Sequence, residues 1–379
     1  MKKIEIYYGS TGNFLKSVPK SHKNLTTLAL ECDVDAKKQE IVVRGQNEKP
    51  IKTVRRKRKI SCLVAAATEY CAVQEHVISN FLNFIQQFSI QNIYIQNPPQ
   101  KIADQLIAYY GDSVVSIVNE SYGNVTEVKL KEISDDFDEK IIGQGYVKNE
   151  LLQALYPATQ EQKRNKPITV LFYGSSGVGK TETANYLASV LGGKLFRKQF
   201  SMFQNNEFAV YLFGGKYTEK SFAQDLMARK SNVILLDEFD KANPVFHSAF
   251  YQLFDEGIYE ERNYKVNLDN AIIICTSNYK DEKEIKENLG NAIYNRFDSI
   301  IRFDELSDES KEIIAKKDLE ELETDYQEVL NNMDEEIRRR LTNAVRGCSN
   351  AREIKRIIKD VLNLLAIRKM CEDEETEEF

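Results

Sequence analysis

The sequence feature that most constrains the fold is the glycine-rich stretch GSSGVGKT, which runs from Gly174 to Thr181. It fits the pattern G-x-x-x-x-G-K-[ST] of a phosphate-binding loop. Its glycines let successive backbone N–H groups turn inward around a triphosphate, and a helix predicted to begin near Lys180 adds the positive end of its dipole. In such a loop Lys180 contacts the β and γ phosphates, and the Thr181 hydroxyl binds magnesium.

The residues on either side of the loop favour this interpretation. The apolar run 168–173 is typical of a buried parallel strand, and 182–191 has the periodicity of a helix. Strand, loop and helix therefore follow one another in the order that a phosphate loop requires. The sequence predicts an α/β fold with a parallel sheet and flanking helices.

A second apolar run, 233–236, is followed by the acidic pair Asp237 and Glu238. Parallel sheets present ligands at the carboxyl ends of their strands, so these carboxylates are expected beside the phosphates. Asp237 is expected to complete the magnesium shell through water, and Glu238 to orient and polarise the attacking water. A third apolar run ends at Asn278, which either helps to place that water or is a simple turn residue.

Bulk properties exclude several classes of protein. The chain has 379 residues, enough for two or three domains, and its six cysteines form no C-x-x-C pair, which argues against zinc sites and a disulfide framework. We find no apolar run of 18 residues and no secretory signal, so a cytoplasmic protein without a membrane partner is expected. The net charge of −6 gives no general case for nucleic-acid binding.

The first 130 or so residues predict a small α/β domain with no internal repeat. Strands are expected at 4–8, 26–32, 41–44, 90–95 and 114–118, and helices at 77–88 and 102–109, with an apolar run at 60–66.

Three charged stretches need an interpretation. The run KTVRRKRK at 52–59 can neutralise phosphates of a nucleic acid or another polyanion, but a solvated hairpin or strand edge is favoured, because no aromatic stacking pattern adjoins it. The acidic stretch 134–140 is interpreted as a domain boundary. The acidic run 372–378 is interpreted as a disordered tail.

Taken in order, seven motifs resemble one family, the Clp-type AAA+ ATPases, and within it the C-terminal ATPase module of the Clp unfoldases and disaggregases. The resemblance covers about residues 138–370, whereas the N-terminal domain resembles no family that we can place. The motifs are IIGQ from Ile141, GSSGVGKTE from Gly174, VILLDEFDKANP from Val233, FDEGIYEERNYKV from Phe254, IIICTSN from Ile272, YNRFDSIIRF from Tyr294 and NAREIKR from Asn350.

The resemblance implies a domain plan and a cofactor. Residues 138–304 are expected to form the large α/β subdomain and 305–370 a small α-helical lid, preceded by the N-terminal domain 1–133 and followed by the tail 371–379. The cofactor implied is ATP with Mg²⁺. The nucleotide would be bound by the loop residues Gly174, Ser175, Ser176, Gly177, Val178, Gly179, Lys180, Thr181 and Glu182.

Roles for individual residues follow at the matching positions. Asn278 looks like sensor 1, Arg296 like an arginine finger that reaches the γ phosphate of a neighbouring subunit, and Arg352 like the sensor 2 arginine of the lid. Ile141 and Ile142 would line the adenine pocket. A finger supplied by a neighbour implies a homo-oligomeric ring, most often a hexamer.

The sequence departs from the family where the family carries its substrate-gripping loop. In place of G-x-P-P-G-Y-V-G the chain has LFGGKYT at 212–218, in which Lys216 and Tyr217 are expected to line the pore. No tripeptide suited to docking a ClpP-like peptidase is found. The function implied is an ATP-hydrolysing ring that threads or remodels a protein substrate. The alternatives are a nucleic-acid-associated switch and a nucleotide-timed scaffold.

Overall fold

A computed structural model describes residues 1–40, 57–160, 166–202, 206–331 and 333–377. The chain divides into two compact units. The first unit comprises Met1–Gly123, Phe203–Asn232 and Ser248–Asp269, and the second comprises Asn124–Met202, Val233–His247 and Asn270–Phe379.

The described residues contain β-strands and α-helices in alternation. The strands are β1 (Lys3–Tyr8), β2 (Lys23–Asn24), β3 (Lys59–Ala65), β4 (Ser89–Gln96), β5 (Val115–Asn119), β6 (Ile168–Tyr173), β7 (Phe196–Gln199), β8 (Val233–Asp237), β9 (Ile258–Glu260), β10 (Lys265–Asn267), β11 (Ile272–Thr276) and β12 (Ser299–Arg302). The helices are α1 (Thr11–Ser17), α2 (Leu25–Glu40), α3 (Glu75–Ser79), α4 (Phe81–Gln86), α5 (Gln100–Tyr110), α6 (Glu127–Lys140), α7 (Gly145–Leu155), α8 (Lys180–Val190), α9 (Asn206–Phe213), α10 (Phe222–Met227), α11 (Tyr251–Glu256), α12 (Glu282–Tyr294), α13 (Asp308–Glu321), α14 (Glu323–Asn331), α15 (Glu335–Arg346) and α16 (Ala351–Glu377).

The first unit is built on a parallel sheet with the strand order β2-β3-β4-β1-β5. Successive side chains of a strand point to opposite faces, so Ile4 and Ile6 join a large core on one face while Tyr7 packs with Phe14 on the other. Both faces are therefore covered, as a parallel sheet requires.

Several sequence predictions for this unit are confirmed and others are wrong. The strands at 90–95 and 114–118 and the helix at 102–109 are confirmed as β4, β5 and α5. The segment 26–32, predicted as a strand, lies in helix α2, because Leu25 and Leu28 repeat with helical spacing and both are fully buried. The predicted helix 77–88 is two short helices that meet at Asn80. The predicted strand 41–44 lies outside the described residues, as does most of the basic run 52–59.

Two segments from the middle of the chain belong to the first unit, a grouping that the sequence did not predict. They carry α9, α10, α11 and the antiparallel pair β9 and β10. The hydroxyl of Tyr259 donates a hydrogen bond of 2.6 Å to the carbonyl oxygen of Leu212. The hydroxyl of Tyr122, near the end of the N-terminal segment, donates one of 3.3 Å to the carbonyl oxygen of Arg229. These contacts join the inserted segments to each other and to the N-terminal residues.

The second unit contains a parallel sheet with the order β12-β6-β11-β8-β7 and a helical lid formed by α13 to α16. Strands β6, β8 and β11 are buried at every position, which confirms the three apolar runs as strands of one sheet. The acidic stretch 134–140 forms the second half of α6, where Phe137 is fully buried.

The helix α16 continues to Glu377, where the sequence predicts a disordered tail. Glutamate is a good helix former, and adding a turn to an existing helix avoids the cost of nucleation. Within the part of the chain that the structure describes, no helix is long and apolar enough to cross a membrane, and no group of three or more His, Cys, Asp and Glu side chains is placed to hold a metal ion.

Candidate nucleotide-binding site

The glycine-rich loop joins the carboxyl end of β6 to the start of α8 at Lys180, as the sequence predicts. Gly174 has a φ angle of 132°, and a Cβ atom there would lie 2.3 Å from the carbonyl oxygen of Phe303. Gly177 has a φ angle of 77°, and a Cβ atom there would lie 2.9 Å from the Cβ of Asn350. Both positions therefore require glycine, for conformation and for space.

The ammonium group of Lys180 is held inside the loop. Its Nζ donates hydrogen bonds to the carbonyl oxygens of Gly174 at 2.5 Å and Ser175 at 2.8 Å, and to Oδ1 of Asn278 at 3.2 Å. Lys180 is only 8% exposed, and this burial lowers its pKa to about 8. A phosphate group would stabilise the charged form, because two opposite charges attract more strongly where water is excluded.

The two predicted magnesium ligands supply oxygen donors. Asp237 ends strand β8 and is 6% exposed, and Thr181 lies in the first turn of α8. Carboxylate and hydroxyl oxygens are the donors that Mg²⁺ prefers, and the ion usually keeps several waters as well. Asp237 accepts a hydrogen bond from the hydroxyl of Thr276, which fixes its orientation. The donor set therefore fits Mg²⁺ bound together with a nucleotide phosphate.

Glu238 follows Asp237 in a left-handed backbone conformation with a φ angle of 55°. Its N–H donates a 2.9 Å hydrogen bond to the Thr276 hydroxyl, and its Oε2 accepts one of 3.0 Å from Gln199. Hydrogen bonds from Ser201 and Gln199 lower the pKa of Glu238, so the carboxylate is ionised at neutral pH. An uncommon backbone conformation retained at this position is what a functional constraint would produce.

The lid and the segment before the loop complete the site. The Arg352 guanidinium donates a 3.2 Å hydrogen bond to the Ser176 hydroxyl, and the Ala351 N–H donates one of 3.1 Å to the carbonyl oxygen of Gly177. Ile141 is buried, and Ile142 lines the same pocket, which gives an apolar wall suited to a purine base.

These groups surround a pocket of about 680 Å³, large enough for a nucleotide. The carbonyl groups of Gly174 and Ser175 face Lys180 and do not line the pocket. The predicted residues that line it are Ile141, Ile142, Ser176, Gly177, Val178, Gly179, Lys180, Thr181, Glu182, Asp237, Glu238, Asn278 and Arg352.

Three predicted functional residues lie elsewhere. Among the described residues, the lining of the pocket does not include Arg296, whose side chain donates a 2.6 Å hydrogen bond to the carbonyl oxygen of Ala292. Lys216 and Tyr217 belong to the first unit, where they line a separate pocket of about 410 Å³. Tyr217 is partly buried against the core of that unit.

Three further residues of the site were not predicted from the sequence: Arg197, Gln199 and Thr276. All three line the pocket, and Arg197 forms an ion pair with Asp237 in which Nε and Nη2 both donate to Oδ2, at 2.9 and 2.5 Å. The alternation of side chains along β7 places Arg197 and Gln199 on one face of the sheet. That pattern is visible in the sequence, but the pairing of β7 with β8 is not.

Replacing Arg197 with alanine is expected to lower the Mg²⁺ concentration needed for half-maximal binding of ADP, by about three- to tenfold. The guanidinium occupies one oxygen of Asp237, so it competes with the cation for that carboxylate. The measurement is a magnesium titration of fluorescent ADP binding.

Lys198→Ala is the matched control for this prediction, because the next side chain along the strand points to the opposite face and does not line the pocket. An unchanged or higher magnesium requirement in Arg197→Ala would contradict the competition.

The geometry defines a class of protein. A phosphate loop, an acidic strand end, a polar strand end and a lid arginine converge on one pocket, in a five-stranded parallel sheet that carries a helical lid. This is the arrangement of an AAA+ P-loop ATPase module, which the sequence motifs predict.

Comparison with known proteins gives the same family. The model of the AAA domain (Cdc48 subfamily) matches residues 165–347. The chaperone protein ClpB of Mycoplasmoides gallisepticum is 32% identical over 275 residues, which cover 65% of this chain and 38% of ClpB. The ATP-binding subunit ClpL of the Clp protease of Staphylococcus aureus (strain USA300) is 31% identical over 203 residues, which cover 46% of this chain and 28% of ClpL.

Solved structures of Hsp104 share the fold. A closed-state cryo-EM reconstruction of Hsp104 with ATPγS and FITC casein has a TM-score of 0.55 at 15% identity and covers 97% of this chain and 88% of that chain. The S. cerevisiae Hsp104-ADP complex has a TM-score of 0.51 at 24% identity and covers 65% of this chain and 49% of that chain. The likeness to the first of these includes the N-terminal unit.

Residues 165–347 therefore match the AAA domain family, and the chain is similar to Clp-type AAA+ ATPases. It matches little more than a third of the length of the ClpB relative, and less of ClpL.

Proposed function

We propose that the protein hydrolyses ATP with Mg²⁺ and uses the energy to remodel or thread a protein substrate. The observation that carries the ATPase proposal is the convergence of Lys180, Asp237, Glu238 and Asn278 on one pocket. Lys180 would bind the phosphates, Thr181 and Asp237 would hold the metal ion, and the ion would neutralise charge that develops on the transferred phosphoryl group.

The proposed chemistry needs an ordered water opposite the leaving group. Glu238 is ionised and held at the edge of the pocket by Gln199, so it would accept a hydrogen bond from that water and orient it. Asn278 contacts Lys180 at 3.2 Å, so its amide lies beside the group that binds the γ phosphate. Arg352 reaches the loop from the lid, so nucleotide binding would pull the lid and loop together.

We propose that the active form is a ring of six subunits. The support is that Arg296 does not line the described pocket of its own chain, whereas the motif YNRFDSIIRF matches that of an arginine finger. A finger that serves the neighbouring site makes hydrolysis depend on assembly.

The proposed substrate is an unfolded polypeptide, contacted by Lys216 and Tyr217. An aromatic ring can contact varied side chains without requiring a sequence, which suits a protein motor. Tyr217 lines an open pocket together with Lys216 and Arg262, so part of its surface is accessible although the ring is partly buried.

The proposed function is tested by measuring phosphate release by the full chain with and without an unfolded protein such as casein. Stimulation by the unfolded protein is expected. Stimulation by DNA or RNA that disappears with added salt would instead indicate a nucleic-acid-associated switch. Response to neither polymer, with basal hydrolysis intact, would favour a scaffold timed by nucleotide.

Tyr217→Ala is expected to lose unfolding of a tagged model substrate while rings still assemble. The reason is that the change removes an aromatic contact surface and leaves the pocket of the second unit untouched. Unfolding is followed by loss of substrate fluorescence, and assembly by light scattering.

Tyr156→Ala is the control, because Tyr156 is an exposed tyrosine of the second unit that lies outside both pockets. Loss of assembly in Tyr217→Ala would show a structural role, and unchanged unfolding would exclude Tyr217 as the gripping residue.

A further inference from the structure

The two parallel sheets of this chain have the same strand order. Numbered along the chain, the five strands are β1 to β5 in the first unit and β6, β7, β8, β11 and β12 in the second. In both sheets the spatial order is second, third, fourth, first and fifth strand. Every pair in both sheets is parallel. Five strands can be arranged in many other orders, so a shared order suggests a shared plan.

Matching hydrogen bonds fix which residues correspond. At the end of the first strand, Asn97 N–H donates to the carbonyl oxygen of Tyr7 at 2.8 Å, as Ser277 N–H donates to that of Phe172 at 2.9 Å. A second matching pair lies just after the fifth strand of each sheet. Glu120 N–H donates to the carbonyl oxygen of Tyr8, and Phe303 N–H donates to that of Tyr173, both at 2.8 Å. Tyr8 therefore corresponds to Tyr173.

The sequence after this tyrosine is also shared. Residues 8–12 read YGSTG and residues 173–177 read YGSSG. The repeat is not visible in the sequence alone, because the identity is confined to this short stretch and the strands share only an apolar pattern. The correspondence becomes visible through strand order and register.

We infer that the first unit contains a second copy of the ATPase sheet whose nucleotide site has been replaced by contacts within the protein. The inference rests on the geometry of the first unit and does not depend on the proposed activity of the second. Three differences from the ATPase sheet, all at the carboxyl ends of the strands, support this inference.

The first difference is in the acidic pair. In the ATPase sheet Leu236 is paired with Cys275, and in the N-terminal sheet Ala65 is paired with Ile95, at the corresponding position. The residues that follow are Asp237 and Glu238 in one sheet and Ala66 and Ala67 in the other. The alanines offer neither a carboxylate for Mg²⁺ nor one to orient water.

The second difference is a shorter loop. Helix α8 begins at Lys180, six residues after Gly174, whereas α1 begins at Thr11, two residues after Gly9. The shorter loop has no span left to wrap around phosphates and places no lysine at the start of its helix.

The third difference is that protein groups fill the loop. One oxygen of the Glu120 carboxylate accepts hydrogen bonds from the Ser10 hydroxyl at 3.0 Å and the Asn13 amide at 2.6 Å, and the other accepts the Ser10 N–H. The amides of Gln96 and Asn97 each donate to the carbonyl oxygen of Gly9 at 2.8 Å. Gln96 is the last residue of β4, which corresponds to β11, the strand before Asn278, and Asn97 follows it. The polar side chains at this edge therefore bind the backbone of Gly9.

The consequence is that the chain binds one nucleotide rather than two. Glu120 holds the loop closed, so the edge of the N-terminal sheet has a fixed arrangement that does not depend on nucleotide.

The first test measures the stoichiometry of ATPγS binding to the full chain by equilibrium dialysis, for the parent and for Lys180→Ala. About one nucleotide per chain is expected for the parent and none for the variant. Binding that survives Lys180→Ala would overturn the inference, because it would reveal a second site. No binding by the parent would instead contradict the proposed function, and it would agree with a first unit that binds no nucleotide.

The second test removes the carboxylate that closes the loop. Glu120→Ala should lower the Tm by roughly 3–8 °C, since several hydrogen-bond donors lose their acceptor, and Glu120→Gln should lower it less. Asp112→Ala, at an exposed turn of the same unit, is the control. An unchanged Tm in Glu120→Ala, or nucleotide binding gained by Glu120→Ala combined with Lys180→Ala, would overturn the inference.

Discussion

Glu238→Gln is expected to bind ATP with nearly the parental affinity and to release phosphate about 10²- to 10⁴-fold more slowly. The substitution keeps the size of the side chain and removes the charge that polarises the water. Binding should be spared, because the phosphates are bound by the loop and by Lys180, which makes none of its described hydrogen bonds to Glu238.

The contacts around Glu238 indicate that the substitution would remove the charge without rearranging the pocket. Glu238 is positioned by its own N–H, which donates to Thr276, and that bond does not involve the side chain. The side chain contacts Gln199 at 3.0 Å, and a glutamine at 238 can still accept a hydrogen bond through its carbonyl oxygen. A large loss of turnover would therefore reflect the loss of charge rather than a rearranged pocket.

The measurement pairs fluorescent ATP affinity with steady-state phosphate release under the same conditions. Glu287→Gln is a suitable control, because Glu287 is an exposed glutamate of the second unit that lies on α12 outside the pocket. Near-normal turnover in Glu238→Gln would remove Glu238 from the proposed role.

Arg296→Ala is expected to keep ATP binding and to lose hydrolysis by about 10³-fold or more, the scale of an arginine finger. Mixing this variant with Lys180→Ala should restore part of the activity. Where a Lys180→Ala subunit borders the pocket of an Arg296→Ala subunit, that pocket has its own lysine and the neighbour's arginine, so the site is complete.

The position of Arg296 supports this expectation. It lies just after α12, and its backbone carbonyl accepts a 2.7 Å hydrogen bond from the Thr169 hydroxyl of β6. The strand that precedes the phosphate loop is thus hydrogen-bonded to the segment that carries Arg296. A change at the nucleotide site of one subunit can therefore be transmitted to the site that its Arg296 serves.

Rescue is measured as phosphate release across mixing ratios, after subunit exchange has been shown by fluorescence energy transfer. Arg302→Ala is the control, since Arg302 is an exposed arginine of β12 paired with Asp304 at 3.1 Å. Absence of rescue despite exchange would mean that Arg296 has a structural role instead.

The sequence by itself predicted the chemistry that we propose for the second unit. A phosphate loop has fixed residue types at fixed spacing, because each residue contacts a particular atom of the nucleotide. The pattern can therefore be identified without knowledge of the fold. The apolar runs before Gly174 and Asp237 predicted strands for the same kind of reason, since both faces of a parallel sheet are buried. The roles proposed for Lys180 and Asp237 followed from their positions along the chain.

What the sequence could not determine depends on contacts between residues far apart in the chain. Arg197 was not predicted because its place in the site depends on an ion pair with Asp237 on the neighbouring strand. The pairing of two strands cannot be predicted from the sequence of either strand alone. The sequence predicts a strand at 26–32, within the helix Leu25–Glu40, because a short apolar run fits either period until packing decides between them.

The N-terminal unit is the clearest example of a feature that the tertiary structure reveals and the sequence does not. Its sequence predicted an α/β domain of no known family, because the residues that would mark a nucleotide site are alanines at 66 and 67 and a shortened loop at Gly9. Its kinship with the ATPase sheet lies in strand order and register, which apolar side chains of many kinds can satisfy. Only the tertiary structure could show it, since burial constrains the pattern of a strand far more than the identity of its residues.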